Sequence, residues 1–269
     1  MKGMIRAAAM VFLLAPGVSW AEDLDAGLNA FNAGEYETAY EIWQPIAEQG
    51  VAVAQYSLGV MYYDGLGVAQ DYAEAVQWYR AAAEQGNAGA QFNLGLMYLQ
   101  GRGVAQDYAE AARWYRAAAE QGNDWAQFNL GFMYDNGQGV AQDDAEAVRW
   151  YRSAAEQGNA QAQHNLGLMY HQGQGVPQDD AEAVRWYRAA ADHGYADAQY
   201  NLGLLYGQGR GVAQDFVTAH MWLNIAASSG HANAREARDV VHGQMTPEAI
   251  AQAQRRARIC MESDYQDCD

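Results

Sequence analysis

The chain has 269 residues, half of them apolar, with 33 acidic and 16 basic side chains, 28 glycines, four prolines and two cysteines. A formal net charge of −17 argues against a nucleic-acid partner, because such binding starts by neutralising phosphates, and it disfavours an anionic membrane surface. The apolar share is too high for a disordered acidic tail, and two cysteines cannot staple a small disulfide scaffold.

The first residues run from positive to apolar to small. Lys2 and Arg6 precede an apolar stretch from Ala7 to Ala15, centred on Phe12, Leu13 and Leu14, which Pro16 and Gly17 break. Ser19 and Ala21 then place small residues at −3 and −1 of a cut after Ala21. This order reads as a secretory signal peptide over residues 1–21. The alternative, a membrane anchor, fails on length, since the apolar run cannot span a bilayer. A mature chain starting at Glu22 loses Lys2 and Arg6, which takes the net charge to −19. The expected destination is a bacterial periplasm, with secretion as the other outcome.

Residues 22–51 predict a shortened helix pair. Phe31, Tyr36, Ala39, Trp43 and Ala47 supply its apolar face, and Gly34 separates the two helices. This segment holds seven acids and no base. That excess suits either a basic partner patch or the general solubility of an exported protein.

From residue 52 to 231 the chain repeats every 36 residues, in five units. Gly-Val-Ala-Gln-Asp starts at Gly67, Gly103, Gly139 and Gly211, with Gly-Val-Pro-Gln-Asp at Gly175. Trp78, Trp114, Trp150, Trp186 and Trp222 keep the same step. In the unit 88–123, Ala90, Leu94, Met97 and Tyr98 recur at helical spacing and predict helix A over 88–99. Gly101 ends it as a glycine able to take positive φ. Asp107 stands where an N-cap belongs, and Glu110 completes the spacing of a capping box. Helix B follows through Ala111, Trp114, Tyr115, Ala118 and Ala119, and Gly122 stops it. Helices this short are marginal alone, so successive units must pack into a solenoid. Gly95 and its equivalents lie inside helix A, where glycine costs up to about 1 kcal/mol against alanine; their recurrence predicts a close approach there. Residues 232–269 predict capping helices and a tail. Thr246 and Pro247 open the last helix as N-cap and N1. Cys260 and Cys268 are expected to bond in an oxidising compartment and clip the tail, with two free thiols as the alternative.

The stretch Ala90-Gln91-Phe92-Asn93-Leu94-Gly95-Leu96-Met97-Tyr98, followed by Gly101-Arg102-Gly103-Val104, Asp107, Ala111, Trp114-Tyr115 and Ala118-Ala119, resembles the Sel1-like repeat. That family is a longer-looped relative of the tetratricopeptide repeat. The resemblance covers roughly 52–231, and residues 30–50 look more like an ordinary tetratricopeptide pair. It implies an all-α, right-handed solenoid of helix hairpins. It also implies a protein-interaction scaffold, often exported, that holds a protein or peptide on a concave face lined by helix A.

Carried over to this sequence, that face includes Tyr56 and Tyr63 in the first unit, Phe92 and Leu99 in the second, and Trp125, Phe128, Phe132 and Asp135 in the third. His164 and His171 follow in the fourth, and Tyr200 in the fifth. These places vary between units while the tryptophans and inner glycines do not. The variation fits a site tuned unit by unit, and equally an exposed surface under no constraint. Trp125 favours the first, since a large ring at a non-packing position is the kind of residue that anchors an interface.

Catalytic chemistry finds little purchase. Lys2 is the only lysine and no Gly-x-Ser-x-Gly elbow is present. The Gly-x-Gly loops lack the further glycine and lysine of phosphate cradles, and an aspartate at each helix start repels anions. His164 and His171 share one side of a helix but are too few for zinc. No metal or cofactor is expected. Cysteine-rich relatives in the family have been linked to β-lactam binding or hydrolysis, but they carry a cysteine pair per repeat and these five units have none. A non-catalytic adaptor that is a monomer, without membrane insertion, is the expectation; a β-lactam enzyme and a secreted host-binding factor are the alternatives.

Overall fold

The computed structural model describes residues 20–268, which form fourteen helices and no strand. A first pair, α1 (Trp20–Asn32) and α2 (Tyr36–Glu48), precedes the five repeats. Their A and B helices are α3 (Ala52–Asp64) and α4 (Tyr72–Glu84), α5 (Ala88–Gln100) and α6 (Tyr108–Glu120), α7 (Asp124–Asn136) and α8 (Asp144–Glu156), α9 (Ala160–Gln172) and α10 (Asp180–Asp192), and α11 (Ala196–Gln208) and α12 (Phe216–Ser228). Two further helices, α13 (Ala234–His242) and α14 (Pro247–Glu262), close the array. Each helix packs mainly on its sequence neighbours, the contact pattern of a solenoid. The leader expected over residues 1–21 lies outside the described residues, except that Trp20 and Ala21 open α1. Trp20 packs against the cluster of Ala30, Trp43 and Leu58.

Local chemistry sets the helix ends. Asn87 accepts from the Ala90 N–H at 2.9 Å and starts α5. Gly101 ends it at φ 67°, where a side chain would be strained. Asp107 accepts from the N–H groups of Ala109 at 2.9 Å and Glu110 at 3.0 Å, as an N-cap should. The capping box expected at Glu110 is not completed. The Asp107 N–H instead donates to the Tyr98 carbonyl of the A helix at 3.0 Å. With that donor already used, Glu110 turns outward and pairs with Arg113 at 2.7 Å. The same split recurs at Asp143 and Asp179, where Glu146 and Glu182 pair with Arg149 and Arg185.

Each unit closes on a glycine. A Cβ on Gly95 would lie 2.9 Å from the Tyr115 ring, and Gly59, Gly131 and Gly167 meet Tyr79, Tyr151 and Tyr187 in the same way. The close approach expected inside helix A is therefore a ring of the unit's own helix B, laid on bare backbone. A second glycine joins unit to unit. Gly103, at φ 66°, leaves no room for a Cβ, which would fall 2.1 Å from the Tyr72 carbonyl oxygen at the start of the preceding helix B. Trp114 fills the seam between units against Ala75, Tyr79 and Leu94, and is 8% exposed. Buried amides also cross the seam. Gln91 donates to the Ala83 carbonyl of the preceding unit at 3.1 Å and accepts from Gln121 of its own at 2.7 Å. Burying those polar atoms is tolerable because they are paired.

The two ends differ in kind. Gly27 meets Trp43 as Gly59 meets Tyr79. In that register Glu22, Asp23, Ala26 and Asn29 occupy the places that Ala54, Gln55, Leu58 and Met61 bury in the first repeat. The outer face of α1 is thus polar and stops the array. At the other end α14 packs on α12, burying Ala253, Ala257 and Cys260. A disulfide joins Cys260 to Cys268 and folds the tail back, so that Tyr265 packs against Gly194.

Trp150, 6% exposed at a central seam, should cost about 3–5 kcal/mol when changed to alanine, read by equilibrium denaturant unfolding. Two glycines test the joint. Gly103→Ala should lose more than about 1 kcal/mol through clash and strain together. Gly122→Ala, with φ 89° but open space around it, should lose clearly less in the same assay.

Candidate peptide-binding face

Helices α3, α5, α7, α9 and α11 form one face of the solenoid, and shallow grooves run between them. The sequence-selected residues fall into rows along it. Tyr56, Phe92, Phe128 and His164 form the second row, and each ring rests on the tyrosine of its own unit's helix B. The centroid distances are 6.0, 5.7, 5.9 and 5.6 Å, to Tyr79, Tyr115, Tyr151 and Tyr187. All four are half-buried. Their primary task is packing, with part of each ring left exposed. Tyr200 departs from the row because Leu223 replaces the tyrosine; it stacks on His231 at 4.1 Å instead.

Trp125 and Phe132 behave differently. They are 49% and 41% exposed, and they flank Phe128 on the same side of α7. Trp125 meets Phe128 edge-on at 6.5 Å. Leu99, Phe128 and Phe132, with Gln138 and Gln161, line a groove of about 320 Å³ between neighbouring units. A similar groove of about 270 Å³ lies beside Tyr56, Tyr63 and Asp64.

The last row, near the helix ends, runs through Tyr63, Leu99, Asp135 and His171, and in the first and fourth repeats the next unit's loop bridges it. Tyr63 lies 5.3 Å from Tyr72 in an edge contact. Arg102 donates to the Tyr63 hydroxyl at 2.7 Å and lies over the Tyr72 ring. Three repeats later, His171 Nδ1 contacts Asp180 at 2.6 Å, and Arg210 donates to the other Asp180 oxygen at 3.0 Å. Asp135 accepts from the Tyr151 hydroxyl at 3.4 Å. Burial raises its carboxyl above the usual range, Tyr151 opposes that, and the charge of Asp144 adds to it.

Three features escaped the sequence reading. One is the buried glutamine ladder, whose Ala-Gln period is visible but whose partners are not. Another is a cavity of about 600 Å³ at the end of the A-helix face, between Tyr200, Leu204, Phe216, Val240 and Val241. It exists because α13 does not follow the repeat register, which no local signal announces. The third is His220, 1% exposed against His242 with neither ring nitrogen bonded to protein. Among the described residues no three His, Cys, Asp or Glu side chains group closely enough to hold a metal ion, and no helix is long and apolar enough to cross a membrane.

Burial lowers the His164 pKa, Asp197 opposes it and His231 reinforces it. Burial also lowers His220, helped by His242 and Arg238 and opposed by Asp239. The fold therefore favours the neutral form of both imidazoles, while the unfolded chain takes up protons near the ordinary value of about 6.5. Stability from these groups is complete above that value and is lost as pH falls through it. The denaturant midpoint should drop between about pH 7 and pH 5. His164→Phe, which copies Phe92 and Phe128, should flatten that slope.

The Sel1 repeat matches residues 52–87, 88–123, 126–159, 160–195 and 196–231. A Sel1 repeat protein of Oxalobacter formigenes has a solved structure similar to this one. Its TM-score is 0.75 at 36% identity, over 88% of this chain and 97% of that one. A protective antigen of uropathogenic Escherichia coli with the same repeat fold aligns at TM-score 0.62 and 31% identity, over 92% of this chain and 65% of that one. No curated protein sequence matches the chain. Five matched repeats, the glycine-locked hairpins that underlie them and these solved relatives place the chain in the Sel1 repeat family.

Proposed function

We propose that this protein is a non-catalytic scaffold of the bacterial cell envelope that holds a protein or peptide along its A-helix face. Proteins of the Sel1 repeat family are in general protein-interaction scaffolds. The observation that carries the reading here is the exposure of Trp125 and Phe132 on one side of α7, at 49% and 41%. Packing explains the other rings of the face, but it does not require these two. Each forfeits hydrophobic stabilisation while it stays in water; Phe132 borders the groove that Leu99 and Phe128 line, and Trp125 stands edge-on to Phe128 beside it. Aromatic anchors in a groove with polar surroundings are the usual centre of a protein interface.

Export is supported by the charged, apolar and small-residue order of residues 2–21. A cut after Ala21 would leave α1 all but its first two residues. The mature protein acts as a monomer in this reading, its array stopped at one end by the polar face of α1.

The test is affinity capture from a periplasmic extract, with Trp125→Ala as control. That change should leave unfolding stability within about 0.5 kcal/mol, as for an exposed site, and weaken partner binding at least about tenfold. A large stability loss would place Trp125 in the core and end the reading. Cell fractionation with N-terminal sequencing should find a periplasmic chain that begins at Glu22; an uncut chain in the cytoplasm would contradict export.

A further inference from the structure

The polar row at the ends of the A helices repeats one arrangement with different chemistry. In the first and fourth repeats a residue near the end of helix A faces the first residue of helix B, and the middle residue of the next Gly-x-Gly loop reaches the pair. In the first repeat Arg102 sits on Tyr63 and Tyr72. In the fourth, Arg210 sits on Asp180, which also holds His171. The place is thus filled by a guanidinium in both.

The third repeat has the same place without the cation. Its pair is Asp135 and Asp144, both half-buried, and the incoming loop residue is Gln174. The loop itself is seated as in the others, since a Cβ on Gly175 would lie 2.2 Å from the Asp144 carbonyl oxygen. The unit's own arginines are engaged elsewhere. Arg149 pairs with Glu146 at 2.7 Å, and Arg152 donates to the Tyr170 hydroxyl at 2.6 Å. Six acids against these two arginines give residues 124–159 a sum of −4. Burial holds the Asp135 carboxyl above the usual range, the Tyr151 hydroxyl opposes that, and the Asp144 carboxylate adds to it.

On the reading that the A-helix face binds a partner, we infer that the Asp135–Asp144 pair receives an arginine of that partner, whose neighbouring apolar side chain lies against Phe132 and Trp125. Trp125, Phe128, Phe132 and Asp135 follow one another along one side of α7, over about 15 Å at the usual helical rise. The occupant is an arginine-bearing segment with an apolar residue a few positions away. A guanidinium suits the place better than an ammonium, because its planar fork can serve two carboxylates at once.

Selection of random dodecapeptides displayed on phage against the full chain tests this. The expected peptides carry an arginine spaced a few residues from an aromatic or aliphatic one. Replacing that arginine by lysine should weaken a selected peptide several-fold, and raised salt should weaken it further. Gln174→Arg supplies the missing guanidinium from within, as Arg102 and Arg210 do, and should reduce binding about tenfold or more while the melting temperature holds or rises. Asp144→Asn should reduce binding similarly. Peptides that depend on Trp125 but show no arginine preference, or bind Gln174→Arg undiminished, would overturn the arginine site and leave the proposed function standing. Failure to select peptides, or selection indifferent to Trp125→Ala, would overturn both.

Discussion

The structure rests on a ring lying against a helix that has no side chain beneath it. Gly95 lets Tyr115 touch the backbone of helix A, and three other repeats copy the contact with Gly59, Gly131 and Gly167. The distance between the two helices of a hairpin follows from it, and much else follows from that distance. Phe92 leans on the same tyrosine, so the position of each half-buried ring on the A-helix face is set from within its unit. The glycine gives up helix propensity, and the buried tyrosine more than offsets that loss. In the last repeat Leu223 takes the tyrosine's place beside Gly203, and there the surface changes character: Tyr200 turns to His231.

Residues that serve packing repeat, and residues that serve recognition are free to differ. Trp114 and its equivalents stay constant because each fills a seam between units, where loss of volume leaves a cavity. The first helix B residue varies from Tyr72 and Tyr108 to Asp144, Asp180 and Phe216. The loop glycine docks there on the backbone, so the joint itself does not depend on which side chain stands at that place. A scaffold can thus change the chemistry of its polar row without disturbing its joints.

The period, the hairpins and most helix ends were legible in the sequence, because each rests on a local rule: a glycine that must take positive φ, an aspartate that must cap. Glu110 misled for an equally physical reason. The N–H it was expected to bond is already taken by the Tyr98 carbonyl, a partner nine residues back that no capping pattern contains. The candidate face was legible only in part. Variation between units, with its large ring at a non-packing position, set Trp125 apart, yet nothing in the sequence separated Phe132 from Phe92 and Phe128, which pack. Exposure makes that distinction, and it depends on where neighbouring helices fall. The gap beside α13 was not legible at all, since it arises where the repeat register is abandoned.

The glycine wedge at each loop has a consequence for how such a molecule can change in length. Gly103 docks on the main chain of Tyr72, and Gly139, Gly175 and Gly211 dock on Tyr108, Asp144 and Asp180 in the same manner. The joint therefore asks nothing of the side chain it meets, and any unit can succeed any other. Duplication of one 36-residue segment would bring its own seat and its own wedge, extending the binding surface by a step without a new interface having to evolve. The acidic third repeat and its aromatic neighbours are, in that sense, one cassette among five.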